Sequence, residues 1–96
     1  MKRMVQIEPA DTVVVCLEEI LPQDEIVLDG RVIRAVEHIP MYHKMAVRHI
    51  AEGEAVLKYG ETIGRATQEI PEGSWVHIHN MESMRGRGDK KGGAAV

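Results

Sequence analysis

Apolar residues in this chain come in short runs with turn formers between them. Residues 12–17 form a β-branched run, and 25–28 and 31–36 form two more on either side of Asp29-Gly30. An Asp-Gly pair between apolar runs predicts a tight hairpin, because both residues tolerate positive φ. Further runs lie at 45–48, 55–59, 62–67 and 75–79, again with Gly or Pro between them. No window sustains an apolar period of about 3.6 residues over three turns. The pattern predicts a mainly β fold of short strands, with at most one or two short helical turns, one of them near 47–52.

One turn sequence recurs. Ile50-Ala51-Glu52-Gly53 and Ile70-Pro71-Glu72-Gly73 share the form Ile-x-Glu-Gly, each with a Val three residues further on. Ile20-Leu21-Pro22 and Ile39-Pro40 are looser copies without the glycine. A glycine there supplies the positive φ that lets a strand double back. Repetition of such a unit gives long, bent hairpins that lie over one another. The plain alternative is a common turn sequence used twice.

Composition narrows the function classes. Ninety-six residues with a net charge of −3 make one domain and give no reason to expect nucleic acid or an anionic membrane as partner. The expected organisation is a lead-in over 1–10, a folded domain over 11–82, and a basic, Gly-rich disordered tail over 83–96. The one cysteine, Cys16, precludes an internal disulfide and points to the cytoplasm. Its apolar neighbours predict a buried, inert thiol. No secretory leader or membrane-length apolar run is visible. With no Phe and one Trp, the core must be aliphatic. So small a core makes a homodimer through an unpaired strand edge plausible.

Polar groups able to do chemistry are densest between Lys58 and Asn80. His77 and His79 are two apart in a predicted strand, so both imidazoles should share one face with Trp75, while Val76 and Ile78 face the core. Such a pair can ligate a divalent metal or bind a carboxylate; the other reading is an exposed face that tolerates histidine. His43-Lys44 ends a turn and gains interest only if the fold carries it to the His77/His79 face. Lys58 and Tyr59 stand before a turn glycine, where an amine and a phenol can bind an anion or move protons; an edge strand with a protective lysine explains them equally. Arg65 is expected to face solvent or to pair with a carboxylate. Phosphate loops, dinucleotide fingerprints, HExxH, CxxC and GxSxG are all missing.

The run His43-Lys44-Met45-Ala46-Val47-Arg48, Ile50-Ala51-Glu52-Gly53-Glu54, Val56, Lys58-Tyr59-Gly60, Ile63-Gly64-Arg65-Ala66-Thr67, closed by Ile70, Gly73, Val76-His77 and His79-Asn80, resembles the N-terminal domain of altronate and galactarate dehydratases. One departure is Tyr42, where the family usually has a glycine before the His-Lys pair. The resemblance implies a SAF-type β-clip of bent hairpins. It implies dehydration of a sugar acid to a 2-keto-3-deoxy acid with a divalent metal, iron(II) or manganese(II). It also implies a large dehydratase subunit as partner, this chain being the small subunit and inactive alone. Carried onto this sequence, it suggests His43, Lys58 and Tyr59 as catalytic groups, Lys44, Arg65 and Asn80 as substrate-binding groups, and His77 and His79 as metal ligands. A related small subunit belongs to sulfolactate sulfo-lyase, which eliminates sulfite. A reading of another class is a non-catalytic carbohydrate-binding or regulatory module.

Overall fold

The computed structural model describes residues 3–5 and 9–83. Among them are nine strands and no helix: β1 (Met4–Val5), β2 (Val13–Cys16), β3 (Glu25–Leu28), β4 (Arg31–Arg34), β5 (Lys44–Ala46), β6 (Ala55–Lys58), β7 (Glu61–Ala66), β8 (Trp75–Val76) and β9 (Met81–Ser83). They form three antiparallel sheets, ordered β1-β2-β5-β8, β3-β4 and β6-β7-β9. The mainly β expectation therefore holds.

The four-stranded sheet lies between two aliphatic cores. Val14, Cys16 and Met45 face one, together with Ile26, Leu28 and Ile33 of the β3-β4 hairpin. Val13, Ala46 and Val76 face the other, with Val56 and Ala66 of the β6-β7 hairpin. Both faces of β2 are covered, which is why its sequence is continuously apolar and does not alternate. Cys16 is fully buried, and burial pushes its thiol up to about 11.

The turn repeat is real and occurs four times. Turns after Ile20, Ile39, Ile50 and Ile70 close with a backbone N–H donating three residues back: Asp24 to Leu21, His43 to Pro40, Glu54 to Ala51 and Ser74 to Pro71. The residue before each donor has positive φ: Gln23 (78°), Tyr42 (69°), Gly53 (86°) and Gly73 (88°). The four isoleucines are fully buried and pair as two bridges, Ile20 with Ile39 and Ile50 with Ile70. The hairpin tips correspond as well, since Asp29-Gly30 and Tyr59-Gly60 both have positive φ throughout, the geometry of a two-residue primed turn. Each half of the chain is thus one bent hairpin of the same design. Tyr42 takes the left-handed conformation that glycine would supply.

The structure corrects three expectations. No helical turn forms near 47–52, because Ile50 is held in its bridge and 51–54 make a β-turn. The predicted strand over 75–79 stops at Val76. Ile78 does not face the core but is 82% exposed at the tip of the turn that follows. Two strands also form where none was read: Met4–Val5 pairs with β2, and Met81–Ser83 pairs with β7. The expected tail lies, from residue 84 on, outside the described residues.

Candidate functional site

Register assembles the site. In the β5-β8 pair Lys44 lies opposite Val76 and Met45 opposite Trp75. One step beyond that pairing, the turn residue His43 meets the chain leaving β8 at His77. Their ring centroids are 4.8 Å apart. The interest of His43-Lys44, conditional in the sequence, is therefore realised.

After Val76, Asn80 folds the chain into a turn. Its Oδ1 accepts from the His77 N–H (2.9 Å), and its Nδ2 donates to the Trp75 carbonyl (2.9 Å). The backbone N–H groups of Asn80 and Met81 both donate to the His77 carbonyl. This turn ends the strand alternation and turns Ile78 out to solvent. His77 and His79 nevertheless stay beside Trp75, with ring centroids at 5.3 and 5.1 Å. Asn80 itself is buried with both ends of its amide on backbone, so its place is that of a support for the histidine turn.

Trp75 is the hub of the rings. Its indole N–H donates to His43 Nδ1 at 3.0 Å, and its plane lies 9° from that of His77. Its backbone N–H donates to Glu37 Oε2 at 3.0 Å. The other two histidines of the chain serve elsewhere. His38 and His49 pair with Glu19 and Glu69 at 2.7 and 2.6 Å, one pair beside each isoleucine bridge.

Two lysines add charge. Lys44 is half-buried on β5, and Lys58 ends β6. Burial, then the charge of Lys58, lowers the Lys44 pKa from its ordinary value. Burial first, then His43, Lys44 and His79, lowers that of His77. The permanent charges named among these causes, Lys44 and Lys58, are both cationic, which suits an anionic ligand. The Lys58 ammonium lies 5.0 Å from the Tyr59 ring centroid. Tyr59 is exposed at the hairpin tip, and its backbone N–H donates to Asp11 Oδ2. Arg65 is exposed on β7 and donates to the Gly53 carbonyl at 3.3 Å, outside the ring cluster.

Metal ligation requires several converging donors. Among the described residues, no three His, Cys, Asp or Glu side chains form such a group. His43 Nδ1 already accepts from Trp75, and the charged side chain acting on His77 from outside the imidazoles is Lys44. The described residues therefore do not by themselves fit a resident metal. His77 and His79 would need further ligands from beyond them.

Asp11, Glu37 and the organising part of Trp75 were not legible as site elements. Asp11 is the first residue of the expected domain, with no chemistry read into it, and Glu37 lies in a turn. Only the Trp75 position, two residues before His77, carried a signal.

Comparison with known proteins places the chain in a family. The family described as the altronate/galactarate dehydratase SAF domain matches residues 2–84. The alpha subunit of (2R)-sulfolactate sulfo-lyase from Chromohalobacter salexigens is 49% identical over 47 residues, covering 49% of this chain and 50% of that one. The altronate dehydratase of Bacillus subtilis is 32% identical over 83 residues, 86% of this chain and 17% of the enzyme. That of Escherichia coli is 34% identical over 79 residues, 82% of this chain and 16% of the enzyme. The matches thus span about half of the lyase subunit and about a sixth of each dehydratase. With a family match over nearly its whole length, this chain belongs to the altronate/galactarate dehydratase SAF domain family.

Proposed function

We propose that this chain is the small subunit of a hydro-lyase that eliminates water from an aldonic or aldaric acid to give a 2-keto-3-deoxy acid. The observation that carries the reading is the grouping of His43, His77 and His79 around Trp75, with Lys44 acting on His77 and Lys58 on Lys44, in a chain of this family.

Such an elimination begins with loss of the proton α to a carboxylate. Charge then spreads onto the carboxylate oxygens as an enediolate, and the β-hydroxyl leaves with a proton as water. Lys44 and Lys58 bind the carboxylate and stabilise the growing charge at its oxygens. His77, with its pKa held down, is neutral near pH 7 and able to accept a proton. His43 donates a hydrogen bond. Tyr59 stands at the rim beside Lys58. A large partner subunit supplies the rest of the site; were iron(II) or manganese(II) bound there, His77 and His79 would serve as ligands in place of the base role, and the partner would supply the others.

A second reading is supported by the similarity to the sulfo-lyase subunit, 49% identical over 47 residues. There the same carbanion would expel sulfite, a leaving group that needs no proton. Co-purification with a large dehydratase-like chain, followed by assay on altronate, galactarate and sulfolactate, separates the two. Release of a 2-keto-3-deoxy acid supports the first reading. Release of sulfite alone selects the second. A complex that forms and turns over none of the three returns the chain to a binding or regulatory role.

A further inference from the structure

The indole of Trp75 touches all three imidazoles of the cluster, yet its hydrogen bond goes to one atom, His43 Nδ1, at 3.0 Å. We infer that Trp75 is a positioning residue that holds His43 in its Nε2–H tautomer, so that His43 enters the site as a hydrogen-bond donor to an anionic oxygen and not as a base. The use of that donor rests on the proposed substrate reading; the tautomer does not.

An indole N–H donates and cannot accept. The nitrogen facing it must therefore be unprotonated, and the proton of the neutral imidazole sits on Nε2. The opposite ring flip of His43 would set a C–H against the indole N–H and leave that donor unmade. The main chain that carries the indole is held at two points and the ring at a third. The backbone of Trp75 donates to Glu37 Oε2 at 3.0 Å, and its carbonyl accepts from Asn80 Nδ2 at 2.9 Å. Its ring also packs against the first core, beside Met45.

The consequence is a division of labour between two neighbouring imidazoles. His77 lies stacked on the indole face and makes no such bond to the indole N–H, so its tautomer is left to the ligand. His43 has one nitrogen occupied and offers only a donor from the other. An anionic oxygen is matched by that donor, and a proton to be abstracted is not.

The test uses the full-length, 15N-labelled chain above pH 7. A scalar coupling across the hydrogen bond should connect Trp75 Nε1 to His43 Nδ1, and the indole proton should exchange slowly. His43→Ala should abolish the coupling and speed exchange at least tenfold. His43→Asn, whose side-chain oxygen can replace Nδ1 as acceptor, should restore slow exchange while lacking Nε2–H. A proton found on His43 Nδ1, or indole exchange unmoved by His43→Ala, overturns the inference. In the complex with the large chain, His43→Asn should raise KM for the acid about tenfold, the loss expected for one charge-assisted hydrogen bond. An unchanged KM, with the coupling present, leaves the tautomer standing and removes the donor role. A complex that binds no hydroxy acid at all, with the coupling present, sinks the functional reading and not the positioning.

Discussion

Asp11 holds the tip of the β6-β7 hairpin from 48 residues away: its two carboxylate oxygens accept the backbone N–H groups of Tyr59 (2.9 Å) and Gly60 (2.8 Å). The carboxylate is fully buried, and the turn that it clamps carries Lys58 into the site. Charged acceptors make the stronger hydrogen bonds, and a buried donor left without a partner is costly. Asp11→Ala should destabilise the chain by about 3 kcal/mol in urea unfolding, and should weaken acid binding through the displaced Lys58. Asp11→Asn, which keeps one acceptor, should lose less.

The four copies of the bent turn are not equally demanding. A Cβ at Gly53 would meet open space, so Gly53→Ala bears only the left-handed backbone cost of about 1–2 kcal/mol. A Cβ at Gly73 would collide with the Arg34 carbonyl oxygen, where the 70–74 turn lies against the end of β4. Gly73→Ala should cost roughly twice as much as Gly53→Ala or more in the same measurement. Tyr42 bears the left-handed cost already and is 69% exposed, so Tyr42→Gly should be neutral or stabilising by up to about 1 kcal/mol.

Asn80 ties His77 to Trp75 through both ends of its amide. Asn80→Ala should cost about 2–3 kcal/mol for two lost hydrogen bonds in a buried place. It should also release the rings of His77 and His79 from the indole. Trp75 is the single tryptophan, so the share of its fluorescence quenching at low pH that comes from His77 and His79 should be lost in the variant, and the share from His43, still bonded to the indole N–H, should remain.

Burial, and after it the neighbouring His43, Lys44 and His79, depress the His77 pKa in the folded chain. The unfolded chain then binds the proton first as pH falls. The contribution of His77 to stability is full above the unfolded value, near 6.5. It declines as pH drops below that value, and levels off once the folded imidazole is charged. Lys44→Met removes one of the causes, so the His77 titration followed by NMR should move upward and the acid-side loss of stability should shrink. An unmoved titration would mean that Lys44 does not act on His77.

Cys16 gives a clean probe of opening. Fully buried, with its pKa pushed up to about 11, it should resist alkylation at pH 8 and react only as the chain unfolds. A thiol that reacts at the rate of a free one in the native state would contradict this packing.

Short apolar runs, turn residues and the Asp-Gly pair were enough to place most strands, the hairpin at Asp29-Gly30 and the buried cysteine, because each is decided within a few residues. The family was legible in the same way, from the density of its motif between His43 and Asn80. Two of the four bent turns were plain for the same local reason: Gly53 and Gly73 declare their positive φ, whereas Gln23 and Tyr42 do not. Alternation also misled. It carried a strand through His79 and put Ile78 inside, since nothing in the local pattern shows that the Asn80 side chain will capture the His77 N–H and end the strand.

The sequence by itself determined a mainly β chain of this family and offered its histidines and lysines as candidate groups. Which of them lie together was decided only by the tertiary structure. Asp11 reaches Tyr59 across 48 residues, and Trp75 reaches His43 across 32. Strand register brings His43-Lys44 to His77, and the fold then sets His38 and His49 apart against glutamates. Periodicity encodes which face a side chain takes. It does not encode which distant strand will lie across from it, and the cationic cluster exists only through that pairing.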